Sequence, residues 1–395
     1  MTENKLSNQL TNELQEQFGS YFNDMPLIVK SPGRINLIGE HTDYNNGFVL
    51  PAAIDKFIYV AIAARADNEI HLVAGNLEKK HITTLNDLAV GDESWSAYIL
   101  GIVQQLQQSG FKLSGFNAFI TGDVPVGAGM SSSAALECAT IFALKELFKL
   151  PIEKLDMVKL AKKAENEFVG VQCGIMDMFA SMMGKKDMAI QLDCRSLLFE
   201  YFPLKLEDYK IVLFDTQVKH SLAGGEYNVR KQQCEEGVQL LQTIYPQVQS
   251  LRDVNFGMLE MNLKNIASQS VYNRCRYIVE ENLRLQTGCQ LLLCNDINGF
   301  GKKMYASHKG LSELYEVSCN ELDVLVNMAG DEHAIAGARM MGGGFGGCTI
   351  NLIKEEYIES IFEKFSHQYF TQTGKDLKMY VAQPTDGTSL VAYND

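Results

Sequence analysis

The chain has 395 residues, of which 46% are hydrophobic and 21% charged, and its formal net charge is −13. This length predicts two domains, and the composition is typical of a soluble globular protein. The acidic balance argues against nucleic acid or an anionic membrane surface as the main partner, because both favour a basic face. It does not exclude an anionic small ligand, since backbone amides or a metal ion can make the potential locally positive.

The sequence shows no pattern of export or membrane insertion. It has no run of about 18 apolar residues, and its first residues are acids and amides where a signal peptide needs a basic end and an apolar run. The nine cysteines are scattered, their number is odd, and no C-x-x-C pair occurs. We therefore expect a cytoplasmic protein with reduced thiols and with neither a disulfide framework nor a zinc site.

Hydrophobic periodicity predicts helices and strands that mix without a regular βαβ repeat. The first part should contain, in order, helix 1–20, strand 54–64, helix 95–106, strand 116–121 and helices 131–150, 154–168 and 176–183. After a break near 201–208, the pattern predicts strand 209–214, helices 226–244, 271–285 and 322–329, strand 348–353 and helix 357–370. The predicted fold class is α+β with two domains, 1–203 and 204–395, and the C-terminal tail can pack back on the first.

The stretch SPGRINLIGEHTDYNNGFVLP, residues 31–51, is unusually rich in hydrogen-bonding side chains. Glu40, His41 and Asp43 fall within four positions, and such carboxylates accept hydrogen bonds from pairs of neighbouring sugar hydroxyls. Arg34 suits an anion or a carboxylate at a reaction centre. The alternative is a polar, turn-rich loop without a ligand.

A second stretch, PVGAGMSSSAALE at residues 125–137, predicts a strand, a glycine loop and then the start of a helix. Gly127 and Gly129 let the backbone approach a ligand, and the free N–H groups at a helix start attract phosphate. The serines at 131–133 can add hydroxyl donors or bind Mg²⁺. No Gly-Lys-Ser/Thr follows, so this is not a Walker A loop, and an ordinary serine cap remains the alternative.

Two further stretches suggest a cleft. GGGFGGC, residues 342–348, requires close backbone approach or positive φ, although a flexible hairpin would show the same pattern. Asp177 is the one acid in the apolar run 175–179, which marks a candidate functional carboxylate, with an exposed or capping acid as the alternative. Glu165 belongs to the site only if the fold brings it to the serines.

Together these motifs resemble the galactokinase family. GRINLIGEHTDYNNGFVLP resembles its sugar-binding signature, PVGAGMSSSAA the phosphate loop of the wider sugar, homoserine, mevalonate and phosphomevalonate kinase superfamily, and GGGFGGC its third motif. CGIMDMFAS, VKHSLAGGEYNVR and YEVSCNELD are also similar to galactokinase segments. The matches run in family order from about residue 30 to residue 350.

The resemblance implies a fold and a set of roles. The N-terminal domain would resemble the second domain of ribosomal protein S5, the C-terminal domain would be ferredoxin-like, and the active site would lie between them. Asp177 and Arg34 would form the catalytic pair. The remaining implied positions are Glu40, His41, Asp43, Gly174 and Tyr227 for the sugar, Gly127, Ala128, Gly129, Met130, Ser131, Ser132 and Ser133 for the ATP phosphates, and Ser133 and Glu165 for Mg²⁺.

The implied activity is ATP-dependent, Mg²⁺-requiring phosphorylation of the galactose C1 hydroxyl to α-D-galactose 1-phosphate, the first committed step of galactose metabolism, by a monomer. The alternatives are an N-acetylgalactosamine or arabinose 1-kinase and a non-catalytic sugar sensor, although the intact serine loop disfavours the sensor. Two positions depart from the family pattern. Met178 replaces the usual Gln, and Gly224 and Gly225 stand where serines are common, which predicts a looser loop around Tyr227.

Overall fold

The structure of the protein is a computed structural model that describes residues 3–90, 94–125, 127–218 and 223–391, without the side chains of 3–8 and 223–224. Val126 of the glycine loop and residues 219–222 of the VKHSLAGGEYNVR motif lie outside this description. No helix in the described ranges is long and apolar enough to cross a membrane.

The strands form three sheets of mixed α+β architecture. They are β1 (Leu27–Asn36), β2 (Phe48–Val49), β3 (Pro51–Ala64), β4 (Glu69–Ala74), β5 (Lys79–Thr84), β6 (Phe116–Gly122), β7 (Met188–Asp193), β8 (Phe199–Pro203), β9 (Tyr209–Asp215), β10 (Ile335–Met340), β11 (Cys348–Lys354), β12 (Lys378–Ala382) and β13 (Ser389–Leu390). The sheet orders are β13-β1-β3-β6-β4-β5, β2-β7-β8 and β10-β11-β9-β12, and only the β4–β6 pair among them is parallel.

Helices pack against these sheets and bury apolar faces on them. They are α1 (Glu3–Gly19), α2 (Ser96–Gln108), α3 (Ser132–Phe148), α4 (Lys154–Ala164), α5 (Met176–Met183), α6 (Ala223–Gln242), α7 (Phe256–Met258), α8 (Lys264–Ile266), α9 (Gln269–Leu293), α10 (Ile297–Gly310), α11 (Asn320–Gly330) and α12 (Ile358–Thr373). The α+β prediction is confirmed, and every predicted helix and strand is present with small changes at its ends.

Sequence periodicity missed the ten-residue strand β1, the short strands and one long helix. Most of β1 is buried on both faces, so its pattern does not alternate, and its last residues lie in the polar stretch 31–51. Strands of two to six residues, such as β5 and β8, are too short for periodicity to separate them from loops. Helix α10 contains three glycines, which lower helix propensity and hide the pattern. The predicted helix 154–168 is also divided, because a π-helical turn over Glu165–Val169 follows α4.

The two parts of the chain share an apolar core. Ile35 and Leu50 of the first part and Leu213 and Ile350 of the second lie in one buried cluster. The C-terminal tail returns to the first sheet, where β13 pairs with β1. The buried cluster and this strand pairing both connect the two parts of the chain.

One close helix–strand contact tests this packing. A Cβ added at Gly301 of α10 would overlap with the carbonyl oxygen of Ala336 in β10. We expect Gly301→Ala to lower the free energy of unfolding by about 1–3 kcal/mol, because backbone must move to admit a methyl group. Urea denaturation followed by circular dichroism measures this. The control is Gly330→Ala at the exposed end of α11, where nothing lies within 4 Å, and an equal loss there would contradict the explanation.

Candidate active site

An ion pair between Arg34 and Asp177 lies at the centre of the cleft. Arg34 is near the end of β1, and Asp177 is in the first turn of α5, where the helix dipole favours an acid. The guanidinium binds the carboxylate with two parallel hydrogen bonds, Nε to Oδ1 at 2.7 Å and Nη2 to Oδ2 at 2.7 Å. Arg34 is only 5% exposed, whereas the Asp177 side chain is 28% exposed, so the carboxylate is the member that a ligand can reach.

Arg34 also holds the segment Gly127–Ser133, the glycine–serine loop. Its Nη1 donates to the carbonyl oxygen of Gly129 at 2.5 Å, and its backbone N–H donates to that of Met130 at 3.1 Å. The hydroxyl of Ser131 donates to Oδ2 of Asp177. Ser131 has φ of 56°, a left-handed conformation that is unusual outside glycine and concentrates at functional sites. The loop and the ion pair therefore form one connected unit.

The loop presents backbone rather than side chains ahead of α3. Ala128 and Met130 are buried in the shared core, whereas Gly127 is exposed and, like Gly129, has positive φ. Helix α3 begins at Ser132, so the unpaired N–H groups of its first turn, with Ser133, face the loop. This arrangement matches what a phosphate group needs from a protein.

A cavity of about 380 Å³ opens beside the ion pair. Eight predicted site residues line it: Arg34, Glu40, His41, Asp43, Glu165, Gly174, Asp177 and Tyr227. Gly342 and Gly343 of the third motif are also in its wall. The described loop residues Gly127–Ser133 are not part of this wall, and they are connected to it through Arg34 and Asp177.

Glu40 is fixed by donors from both parts of the chain. Its Oε2 accepts from Asn36 at 2.9 Å, and its Oε1 accepts from Nη2 of Arg339 at 3.0 Å and from the N–H of Gly342 at 2.8 Å. Arg339 is fully buried and also donates to the carbonyl oxygens of Leu37, Asn36 and Met340. The glycine motif therefore approaches the sugar-signature loop closely, as its composition predicted.

His41 lies in an aromatic wall and is neutral. Burial lowers the pKa of His41 to about 4. Its Nδ1 lies 2.8 Å from the Tyr44 hydroxyl and its Nε2 3.2 Å from the Gly343 carbonyl oxygen. The ring centroids of Tyr227 and Tyr315 are 5.3 Å and 4.9 Å from that of His41. These contacts fix the imidazole as an uncharged hydrogen-bonding group.

Asp43 packs directly against the backbone of Gly174. A Cβ at residue 174 would overlap with the Asp43 carboxylate, so any other residue there would displace this side chain. Burial, together with the charge on Asp177, raises the pKa of Asp43 to about 6. The carboxylate is thus held where hydroxyl donors would stabilise its ionised form.

Glu165 lines the cavity and lies near Ser133. Burial raises the pKa of Glu165 to about 7, although the nearby Ser133 hydroxyl lowers it. Cys173 Sγ lies 3.1 Å from Glu165 Oε2. Glu165 opens the π-helical turn after α4, and such turns occur frequently at functional sites. The fold therefore brings to the serines an acid that the sequence alone left undecided.

The structure corrects one expectation about the departures from the family pattern and places the other departure in the core. Tyr227 is not on a loop, because helix α6 already begins at Ala223 and includes Gly224 and Gly225. The prediction of a looser loop is wrong, since hydrogen bonds within the helix hold this backbone. Met178 is fully buried in the core of the first part, so its position faces away from the cavity.

Comparison with known families agrees with this geometry. The model of the GHMP kinases N terminal domain matches residues 97–185, and that of the GHMP kinases C terminal matches residues 284–371. The galactokinase galactose-binding signature matches residues 15–64. The galactokinase of Thermosipho africanus is 40% identical over 366 residues, which cover 92% of this chain and all of that one. The chain belongs to the galactokinase family.

Other galactokinases and more distant kinases extend the comparison. The galactokinase of Thermotoga maritima is 41% identical over 92% of this chain and all of its own. The crystal structure of Lactococcus lactis galactokinase complexed with galactose superposes with a TM-score of 0.92 at 34% identity, covering 96% of this chain and 99% of that one. A mevalonate kinase from Methanococcus jannaschii shares the fold, with a TM-score of 0.66 at 18% identity. The predicted galactokinase family and fold are confirmed.

Sequence reasoning missed Arg339 and Asn36 as parts of the site. Asn36 was visible inside the signature, but its carboxylate partner Glu40 is four residues away in a loop of irregular shape. Arg339 is a charged residue between apolar neighbours in GARMM, and that pattern could have marked it as buried and paired. Neither partner could be named from sequence, because the Arg339–Glu40 contact joins residues 299 positions apart.

The raised pKa of Asp43 predicts a pH dependence of stability without ligand. Because the folded pKa of about 6 exceeds the ordinary value of 3.8, the fold favours the protonated form. The contribution of protonated Asp43 to the free energy of unfolding is fully present below about pH 4 and is lost as the pH rises through about 6. We expect wild type to lose stability relative to Asp43→Asn by more than about 1 kcal/mol between pH 4.5 and 7.5, in urea unfolding. The control is Asp156→Asn, at an exposed position. If wild type lost as much stability relative to this variant over the same pH range, the effect could not be assigned to Asp43.

Proposed function

We propose that this protein transfers the γ-phosphoryl group of ATP to the C1 hydroxyl of galactose and forms α-D-galactose 1-phosphate. The observation that carries the proposal is the Arg34–Asp177 pair, which joins the glycine–serine loop to the sugar-signature residues in one cleft. All of these groups come from one chain, so we also propose the monomer as the active unit. The cleft would divide domains 1–203 and 204–395.

The sugar would lie in the cavity formed by the signature loop. Ionised Asp43 would accept hydrogen bonds from two neighbouring sugar hydroxyls. Both ring nitrogens of His41 already have partners, so neutral His41 would contact the sugar through its ring. Glu40 already accepts three protein donors, so it has room for one sugar hydroxyl and would serve mainly as a fixed wall. Tyr227 and Gly174 would complete the pocket, with Tyr227 contributing an apolar face.

Asp177 would orient the reacting hydroxyl. Its Oδ2 accepts from Arg34 and Ser131, whereas Oδ1 accepts only from Arg34 among the described residues and keeps a lone pair for the sugar. These three donors hold the carboxylate in place, so that its free lone pair can orient the hydroxyl and accept its proton during phosphoryl transfer. The sugar oxygen forms the new P–O bond, the bond from the γ-phosphorus to the bridging oxygen breaks, ADP leaves, and the hydroxyl proton passes to Asp177.

Arg34 would counter the repulsion between Asp177 and the transferring phosphoryl group. Its guanidinium contacts both the Asp177 carboxylate and the glycine–serine loop. Its positive charge would therefore lie where negative charge accumulates during phosphoryl transfer. The backbone N–H groups from Gly127 to Ser133 would hold the ATP phosphates, together with the start of α3. This is positioning and electrostatic stabilisation rather than covalent chemistry.

The residues present suit a Mg²⁺ ion. Ser133 and Glu165 offer hard oxygen ligands near each other, and the buried Glu165 carboxyl would gain a cationic partner. The described residues contain no cluster of three or more His, Cys, Asp or Glu side chains able to hold a metal. Such a sparse protein contribution is typical of Mg²⁺, which takes its other ligands from phosphates and water. When bound, the ion would neutralise charge on the ATP phosphates.

The direct test is a sugar panel. We expect ADP release, measured by a coupled assay, to be fastest with galactose and at least tenfold slower in kcat/KM with N-acetylgalactosamine and arabinose, which alter groups on the ring. A wide preference for another sugar would reject galactose as the substrate. Sugar binding without ADP release would instead identify a sensor.

Removing the proposed proton acceptor should separate chemistry from binding. We expect Asp177→Asn to lower kcat by about 10²–10⁴-fold, because the amide cannot accept the proton. Calorimetry should find galactose and ATP binding within a few-fold of wild type. The matched control is Asp193→Asn, in β7 outside the cavity. A kcat near that of the control would remove Asp177 from its role.

The sugar loop should control substrate affinity. We expect Asp43→Asn to raise the KM for galactose by about tenfold or more, since a charged acceptor of sugar hydroxyls is lost. The KM for ATP should change much less, because the Arg34–Asp177 ion pair lies between Asp43 and the glycine–serine loop. Initial rates with each substrate varied in turn measure both constants. An unchanged galactose KM, or an equal rise in both, would count against a sugar-binding Asp43.

A further inference from the structure

Glu137 is a buried acid that the proposed mechanism does not use. It lies in α3, four residues after Ser133, and is 0% exposed. Neither of its carboxyl oxygens has a hydrogen-bond partner among the described residues. Buried polar groups are nearly always hydrogen-bonded, and an unpartnered one is costly and needs an explanation.

Helix geometry directs this side chain toward the proposed metal ligands. Residues four apart lie one above the other on a helix, with Cβ atoms about 5–6 Å from each other. Side chains on a helix lean toward its N-terminus, so Glu137 leans toward Ser133.

Electrostatics place Glu137 with the other acids of the cleft. Burial raises the pKa of Glu137 well above its ordinary value, and the charges of Glu165 and Asp177 raise it further. Tyr98 of α2 is affected by the same acids, since burial and then the charges of Glu165 and Glu137 raise the pKa of Tyr98 to about 12. A divalent cation beside these acids would favour their ionised forms.

We propose that Glu137 is a positioning residue of the Mg²⁺ site and accepts hydrogen bonds from water molecules bound to the ion. This inference rests on the proposed function, because it assumes that Ser133 and Glu165 hold Mg²⁺ with the ATP phosphates. Mg²⁺ gives up its water reluctantly and keeps several molecules when bound. Carboxylates that hydrogen-bond to a metal's ligands typically change metal affinity by about 10–100-fold.

The test measures how strongly Mg²⁺ tightens nucleotide binding in the full chain. Calorimetry gives the dissociation constant of a non-hydrolysable ATP analogue in Mg²⁺ and in EDTA, and the ratio reports the metal's contribution. We expect Glu137→Gln to reduce this ratio by about tenfold or more and to leave the EDTA value within twofold of wild type. Glu165→Gln should reduce it at least as much.

A matched control is available one turn further along the same helix. Thr140 is also buried, at 2% exposed, and its hydroxyl also has no hydrogen-bond partner among the described residues. We expect Thr140→Val to keep the wild-type ratio, because it removes a neutral group. If Thr140→Val lowered the ratio as much as Glu137→Gln, general packing of α3 would explain both results and the proposal would fail.

The remaining outcomes also decide the question. A wild-type ratio in folded Glu137→Gln would overturn this inference and leave the kinase assignment intact, provided that wild type phosphorylates galactose. If Mg²⁺ did not tighten binding to wild type, the metal site itself would be rejected. Glu137→Met serves as a second variant. If both variants lost affinity equally with and without Mg²⁺, or failed to fold by circular dichroism, Glu137 would be structural.

Discussion

The bidentate ion pair between Arg34 and Asp177 is the interaction on which the site depends. It joins a strand of the first sheet to a short helix 143 residues later, and the same guanidinium holds the glycine–serine loop. The pair is stable because each member has further hydrogen-bond partners, which a buried charge requires. Without it, the loop that we propose for phosphate and the carboxylate that we propose for the sugar hydroxyl would have no fixed relation.

A second constraint fixes the other end of the cleft. Arg339 is buried and donates hydrogen bonds to backbone carbonyl oxygens and to Glu40. These bonds connect strand β10, which precedes the glycine motif, to the sugar-signature loop. The two ends act in different ways. Arg34 leaves its carboxylate partly exposed for chemistry, whereas Arg339 leaves Glu40 almost fully buried, which makes it a wall more than a reactive group.

Local sequence was most informative about the site where the candidate residues lie close together in short motifs. The signature loop, the glycine–serine loop and Asp177 could be marked as candidate site residues from local composition, and the resemblance to galactokinases supplied their expected roles. Periodicity also found the long amphipathic helices. It failed for β5 and β8, which are short, and for α10, whose glycines serve packing. The Arg339–Glu40 contact and the proximity of Ser133 to Glu165 depend on tertiary structure, and no local pattern encodes the partner.

The Arg339–Glu40 contact also has a consequence for the order of assembly. Glu40 is synthesised long before Arg339 and Gly342, the donors to its Oε1. Domains generally fold as units while the chain emerges from the ribosome, first the N-terminal one. In this chain, an early N-terminal unit would carry a sugar loop whose buried acid lacks its main partners. The pocket around Glu40 is therefore complete only when nearly nine-tenths of the chain has been synthesised. Chains truncated before Arg339 should fail to bind sugar rather than retain partial activity.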